Sequence, residues 1–112
     1  MSIQLTGLQI VCGNSTIPTA TVQISFDGDT FTETACGNGP VDAAIKALKN
    51  IIKRHMVLKE FTIQAISKGS DDVGKVHMQV EYDGRVYYGF GANTDIVTAS
   101  VEAYIDCINK FK

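Results

Sequence analysis

Slid along its own copy by 56 residues, half its length of 112, the chain matches itself without a gap, and such a repeat limits the possible folds to two copies of one unit. Phe26-Asp27-Gly28 then lies over Tyr82-Asp83-Gly84, Gly13 over Gly69, Ile10 over Ile66, Val41 over Val97, Ala43 over Ala99 and Ala47 over Ala103. Identity across the match is low. What repeats is the pattern of apolar and turn-forming residues.

Ala20, Val22, Ile24 and Phe26 alternate with polar residues, and Val76, Met78, Val80 and Tyr82 do the same, the period of a half-buried strand. Asp-Gly follows both runs and signals a type I′ hairpin turn, in which both central residues need positive φ. A further strand is expected after each turn, from Thr30 to Ala35 and from Arg85 to Gly91, and a leading strand in each half, from Ile3 to Cys12 and from Phe61 to Lys68. Each half closes on an amphipathic helix: Val41, Ile45, Leu48 and Ile52 form one stripe, and Val97, Val101, Tyr104, Ile108 and Phe111 another. The expectation is an α+β fold of two βββα units related by a pseudo-twofold axis, with antiparallel strands and two helices in two-layer packing. Lys53 to Leu58 is too short for a flexible linker, so residues 1–112 are read as one domain, with repeats 1–56 and 57–112 and no independent halves.

Ten basic and twelve acidic residues give a formal charge of −2 without a cationic cluster, which argues against nucleic acid as a partner. No apolar run approaches the roughly 20 residues that cross a membrane, and Met1-Ser2-Ile3-Gln4 lacks the layout of a signal peptide; a cytoplasmic protein is expected. Cys12, Cys36 and Cys107 lie far apart with no Cys-x-x-Cys pair and are read as reduced, buried thiols. With only His55 and His77 besides, no zinc ligand set is recognisable, and no metal or cofactor is expected.

Cys36-Gly37-Asn38-Gly39-Pro40 stands between a strand and a helix, with Pro40 suited to the first helical position. It reads either as a plain helix start or as a place where a carboxylate or phosphate meets unpaired N–H groups. Gly89-Phe90-Gly91-Ala92-Asn93-Thr94-Asp95 is the matching stretch, with Asn93 or Thr94 available as cap. Its lone Gly-x-Gly is weak evidence for a dinucleotide, because the surrounding pattern is of antiparallel hairpins rather than a parallel βαβ unit. Gly69-Ser70-Asp71-Asp72-Val73-Gly74 is a turn-rich link whose acids either solvate a loop or hold an ammonium group. Tyr87 and Tyr88 are adjacent on a strand, so one faces the core and the other the opposite side. No nucleophile, base and orienting group assemble into a catalytic set.

Gly37-Asn38-Gly39-Pro40-Val41-Asp42-Ala43, then Thr94-Asp95-Ile96-Val97-x-Ala99-Ser100 and Ala103-Tyr104-Ile105, resemble the C-terminal, LeuA-type allosteric regulatory domain of the 2-isopropylmalate synthase and citramalate synthase family, and Ile17-Pro18-Thr19-Ala20-Thr21-Val22 resembles its second strand. The resemblance runs in order over nearly the whole chain. It implies a dimerisation module, non-catalytic by itself, that senses the pathway end product, leucine, and serves a metal-dependent TIM-barrel domain absent from this sequence. Acyl transfer from acetyl-CoA to a 2-oxo acid would belong to that barrel. Matched to the family's motifs, the effector residues would be Asn38, Gly39, Val41 and Ile96 at the helix starts, Leu58, Phe61 and Ala65 in the side-chain pocket, and Asp72 and Gly74 on the loop that closes it. Phe61 stands where the family often has tyrosine and so lacks a hydroxyl.

Three alternatives stay open at this level: an isoleucine sensor of the citramalate synthase type, a dimerisation module with no effector site, and a small enzyme using the acidic link. Leucine is preferred to isoleucine because Thr94-Asp95-Ile96-Val97 looks more like isopropylmalate synthases.

Overall fold

The computed structural model describes residues 3–13, 15–53, 56–66 and 73–111, and the chain divides into two compact units, Met1–Arg54 and His55–Lys112. The first carries β1 (Gln4–Gly13), β2 (Thr16–Phe26), β3 (Asp29–Cys36) and α1 (Pro40–Ile52); the second carries β4 (Val57–Ile66), β5 (Val73–Tyr82), β6 (Arg85–Asn93) and α2 (Ile96–Phe111). The α+β reading as two βββα units holds. Both sheets are antiparallel, in the orders β1-β2-β3 and β4-β5-β6.

The repeat extends to register: Thr21 pairs with Thr34 and His77 with Phe90, each member 56 positions from its counterpart. The shared hairpin turn fixes this. Asp27 and Gly28 have φ of 55° and 81°, Asp83 and Gly84 of 54° and 79°, the pair of positive values that a type I′ turn demands.

In the first unit Ala20, Val22 and Ile24 of β2 are fully buried, as are Ala43, Ala47 and Leu48 of α1, which packs mainly on β2 and β3. In the second, Val76, Met78 and Val80 of β5 and Val101, Tyr104 and Ile108 of α2 fill the corresponding core. Alternation along each central strand therefore sends one apolar row under the helix and one polar row away from it.

How closely the helix sits on the third strand differs between the units. A Cβ on Gly89 would lie 2.2 Å from the Ala103 carbonyl oxygen, and one on Gly91 2.1 Å from that of Ala99. The Gly-x-Gly of β6 thus lets the backbone of α2 rest against the strand. The matching positions of β3 are Glu33 and Ala35, Glu33 being exposed, and Phe31 two residues earlier is 41% exposed. Buried Cys107 fastens α2 further, its thiol donating to the carbonyls of Met78 at 3.7 Å and Tyr87 at 3.6 Å. Burial pushes that thiol up to about 11, which makes it a packing group and not a nucleophile.

Three expectations need correction. The first strand of the second half begins at Val57, not Phe61, so Leu58 belongs to β4 and not to a connector; a register shift between Leu58 and Glu60 inserts Lys59 and breaks the alternation by which a strand is recognised. Cys12 and Cys36 are exposed, because both lie near the ends of edge strands, and only Cys107 is a buried thiol. The cap of α2 is neither Asn93 nor Thr94, as described below. Tyr87 is half-buried on the helix side and Tyr88 is exposed on the other, as alternation requires, and His77 is exposed.

Gly91→Ala is expected to lower stability by about 1–3 kcal/mol, the range for overpacking a tight contact, and this exceeds the gain of about 0.4–1 kcal/mol from a stiffer unfolded chain. Urea unfolding of the two proteins checks it, and an unchanged midpoint would mean that α2 does not rest on β6.

Candidate functional site

The start of α1 is built around a glycine that nothing else can replace without movement. Gly37 donates its N–H to the Pro18 carbonyl at 3.0 Å, and a Cβ on it would lie 2.5 Å from the Ala43 nitrogen and 2.6 Å from Asp42 Oδ2. The next residue, Asn38, donates its backbone N–H to that same carboxylate at 2.9 Å. Asp42 in turn pairs with Lys46 one turn on, at 3.1 Å. Sequence reading passed over Asp42; its signal is an acid at the third helical position, where a side chain can reach back to an N–H ahead of the helix.

Gly39 is the N-cap, extended at φ −166° and ψ 178°, and makes no side-chain cap hydrogen bond. Pro40 follows at the first helical position, as its fixed φ and missing N–H allow. Ala43 is the first residue to donate within the helix, to the Gly39 carbonyl at 3.0 Å. The N–H groups of Val41 and Asp42 therefore precede the intrahelical ladder, and a Cβ on Gly39 would meet no atom within 4 Å. This helix start presents backbone donors behind open space.

The start of α2 is closed by its own side chains. Asn93 Oδ1 accepts the Asp95 N–H at 2.9 Å, Asp95 Oδ1 accepts the Val97 N–H at 3.1 Å, and Asp95 Oδ2 accepts the Thr98 hydroxyl at 2.8 Å. The Asp95 carbonyl also takes the first helical bond, from Ala99 at 2.9 Å. Asp95 is thus the cap, with Asn93 one link upstream, because a carboxylate both fits the N-cap and complements the positive end of the helix dipole. A second anion here would meet a resident negative charge.

The residues carried over from the resemblance fall into groups. Asn38, exposed, and Gly39 and Val41, half-buried, stand together at the start of α1. In the second unit, Gly74 and Ile96 are in contact: a Cβ on Gly74 would lie 1.9 Å from Ile96 Cδ1, so this glycine seats the first residue of α2 against β5. Ala65 pairs with Gly74 across the sheet. Phe61 and Leu58, both half-buried, pair instead with Met78 and Val80, on the α2 side of the sheet. Leu58 is therefore about 20 Å along the strands from the Gly74 row, six residues at about 3.4 Å each. Asp72 and His55 lie outside the described residues. Among the described residues no three His, Cys, Asp or Glu side chains gather as metal ligands.

The hydrogen bond from Asn38, and then Lys46, hold the Asp42 carboxyl below its usual range. A depressed carboxylate contributes stability above its unfolded value of about 3.9, and the contribution fades as pH falls through the lower folded value. Asp42→Asn is thus expected to destabilise the protein near pH 7 by about 0.3–1 kcal/mol, the worth of an exposed charge at a helix start, and to lose this effect in acid once pH has fallen below the lowered folded value. Thermal unfolding across that range checks it; an effect that persists in acid would assign Asp42 a role other than its charge.

Comparison with known proteins follows the same lines. The whole chain, residues 1–112, matches the LeuA allosteric (dimerisation) domain. It is 56% identical over 110 residues to a 2-isopropylmalate synthase of Parabacteroides distasonis, covering 97% of this chain and 22% of that protein. The 2-isopropylmalate synthase of Olsenella uli is 45% identical over 108 residues, 95% of this chain and 21% of its own, and that of Trichodesmium erythraeum 43% identical over 104 residues, 92% and 19%. The chain spans about a fifth of the length of these relatives. It belongs to the family of LeuA allosteric (dimerisation) domains.

Proposed function

We propose that this chain is the effector-sensing, dimerising part of a 2-isopropylmalate synthase, and that it binds leucine for feedback inhibition of leucine biosynthesis. The observation that carries this reading is the start of α1, where the Val41 and Asp42 N–H groups stand uncapped behind the open approach at Gly39. A carboxylate is the ligand group that such a helix end favours. The family match and the relatives' names support the choice of an amino acid effector and of the parent enzyme. In this reading Asn38, Gly39 and Val41 serve the carboxylate end; the places of Leu58, Phe61, Ala65, Asp72, Gly74 and Ile96 in the effector set rest on the family resemblance alone.

Acyl transfer from acetyl-CoA to a 2-oxo acid is assigned to the remainder of the parent protein, not to this chain. Inhibition is then a coupling free energy: leucine must bind one arrangement of the whole enzyme more tightly than the other. The isolated chain reports binding alone. Any ligand that binds only the folded state raises its stability by RT ln(1 + [L]/Kd), about 2.7 kcal/mol at a hundredfold excess over Kd.

Heat unfolding with single amino acids tests the proposal. Leucine should raise the midpoint and isoleucine should do so less; the reverse order would point to an isoleucine sensor, and no effect from either to a module without an effector. Gly39→Val should fold, since its backbone is extended and the added carbons enter free space, yet lose leucine binding at least a hundredfold in calorimetry. Retained affinity in that variant would remove the α1 start from the site.

A further inference from the structure

The two sheets have the same register but opposite outer surfaces. On the first, the face turned away from α1 is a polar ladder: the Thr21 and Thr34 hydroxyls share a hydrogen bond at 2.9 Å, and Gln23 Nε2 donates to the Thr32 hydroxyl at 3.1 Å. The pairs that correspond on the second sheet are His77 with Phe90 and Gln79 with Tyr88. There the rings of His77 and Phe90 touch, with centroids 5.0 Å apart. Tyr88 is 60% exposed, Phe90 45% and Val86 43%. These three point away from α2, because Gly89 and Gly91 between them face it.

We infer that this outer face of β5 and β6 is the surface through which a second copy of the chain pairs with the first, an assignment that rests on the dimerising reading given above. The charges around the apolar patch favour a copy of the same face over another occupant. Along the outward row of β5 run Lys75, His77, Gln79 and Glu81. Lys75 marks one end of that row, where the neighbouring outward residue of β6, Ala92, has no charge. The other end carries Glu81, paired with Lys59 at 3.0 Å, and Glu60, which accepts from Gln79 at 2.8 Å, a net charge of −1. A twofold axis through the middle of the row reverses its direction, lays Lys75 of each copy over the acidic end of the other, and stacks Tyr88 and Phe90 near the centre. An isologous contact needs this self-complementarity, and exposed aromatic residues inside a polar rim are the composition that such interfaces favour. The outer face of the first sheet exposes Val11 and Ile17 only toward one end, while its middle rows bond to themselves through Thr21, Thr34, Gln23 and Thr32 and carry no aromatic ring.

Sedimentation equilibrium on the whole chain tests the assignment. The unaltered protein should be a dimer. Tyr88→Ser with Phe90→Ser should weaken its association at least tenfold while the far-ultraviolet spectrum stays native. Lys75→Glu, a single exposed change that leaves the apolar patch intact, should weaken it about threefold or more, and Thr32→Ser with Thr34→Ser on the other sheet should leave it unchanged. A dimer that survives both the aromatic and the lysine substitutions overturns the assignment and leaves this face to the rest of the parent synthase. A chain that stays monomeric into the millimolar range overturns the dimerising reading and the assignment with it.

Discussion

Each unit depends on a single covering contact. Within each unit the helix covers the apolar face of the three-stranded sheet, α1 on β2 and β3 and α2 on β5 and β6, and that face in return covers the apolar stripe of the helix. In the second unit the contact reaches backbone to strand at Gly89 and Gly91, where β6 puts no side chain beneath α2. Cys107 closes it with bonds to the Met78 and Tyr87 carbonyls, and at the exposed edge of β6 Asp106 accepts the Phe90 N–H at 3.0 Å while Lys110 donates to the Tyr88 carbonyl. Side chains of the helix thus occupy groups that would otherwise leave the strand open to pairing.

Where the helix lies decides where its first turn opens. Gly37 brings the chain within contact of Ala43 and Asp42 before α1 begins, and Gly74 lets Ile96 settle on β5 as α2 begins. The two starts then diverge in chemistry. At α2 an aspartate of the chain fills the anion position; at α1 the carboxylate of Asp42 turns back to Asn38 and leaves the N-cap glycine bare. The two equivalent helix ends differ at positions 39 and 95, where glycine leaves one without a side-chain cap and aspartate closes the other.

The architecture was legible because its signals are local and occur twice. Alternation along β2 and β5, the Asp-Gly turns and the helical stripes each required only neighbouring residues, and the 56-residue offset let each half confirm the other. The early start of β4 escaped notice because Lys59 is an unpaired insertion that destroys period two where the strand begins. The thiols of Cys12 and Cys36 were misjudged because composition speaks for a residue type and not for its place on an edge strand. Asp95 was missed as cap because Asn93, Thr94 and Asp95 are all able to cap a helix, and only the three-dimensional course of the turn selects among them. Of the effector residues, the grouping at α1 was legible from residue order; the seating of Ile96 on Gly74, a residue expected on a loop but found inside β5, and the distance of Leu58 from that row were not, since both follow from strand register and packing.

The central claim is that the bare start of α1 is where an amino acid's carboxylate docks, and amide resonances report on it residue by residue. Titrating leucine into the isotope-labelled chain should move the Gly39, Val41 and Asp42 amides to saturation together, while the Val97 amide, already bonded to Asp95, changes far less. Movement centred on Val97 with the α1 amides still would contradict the account, because the ligand would then be meeting the helix end that its own aspartate has closed.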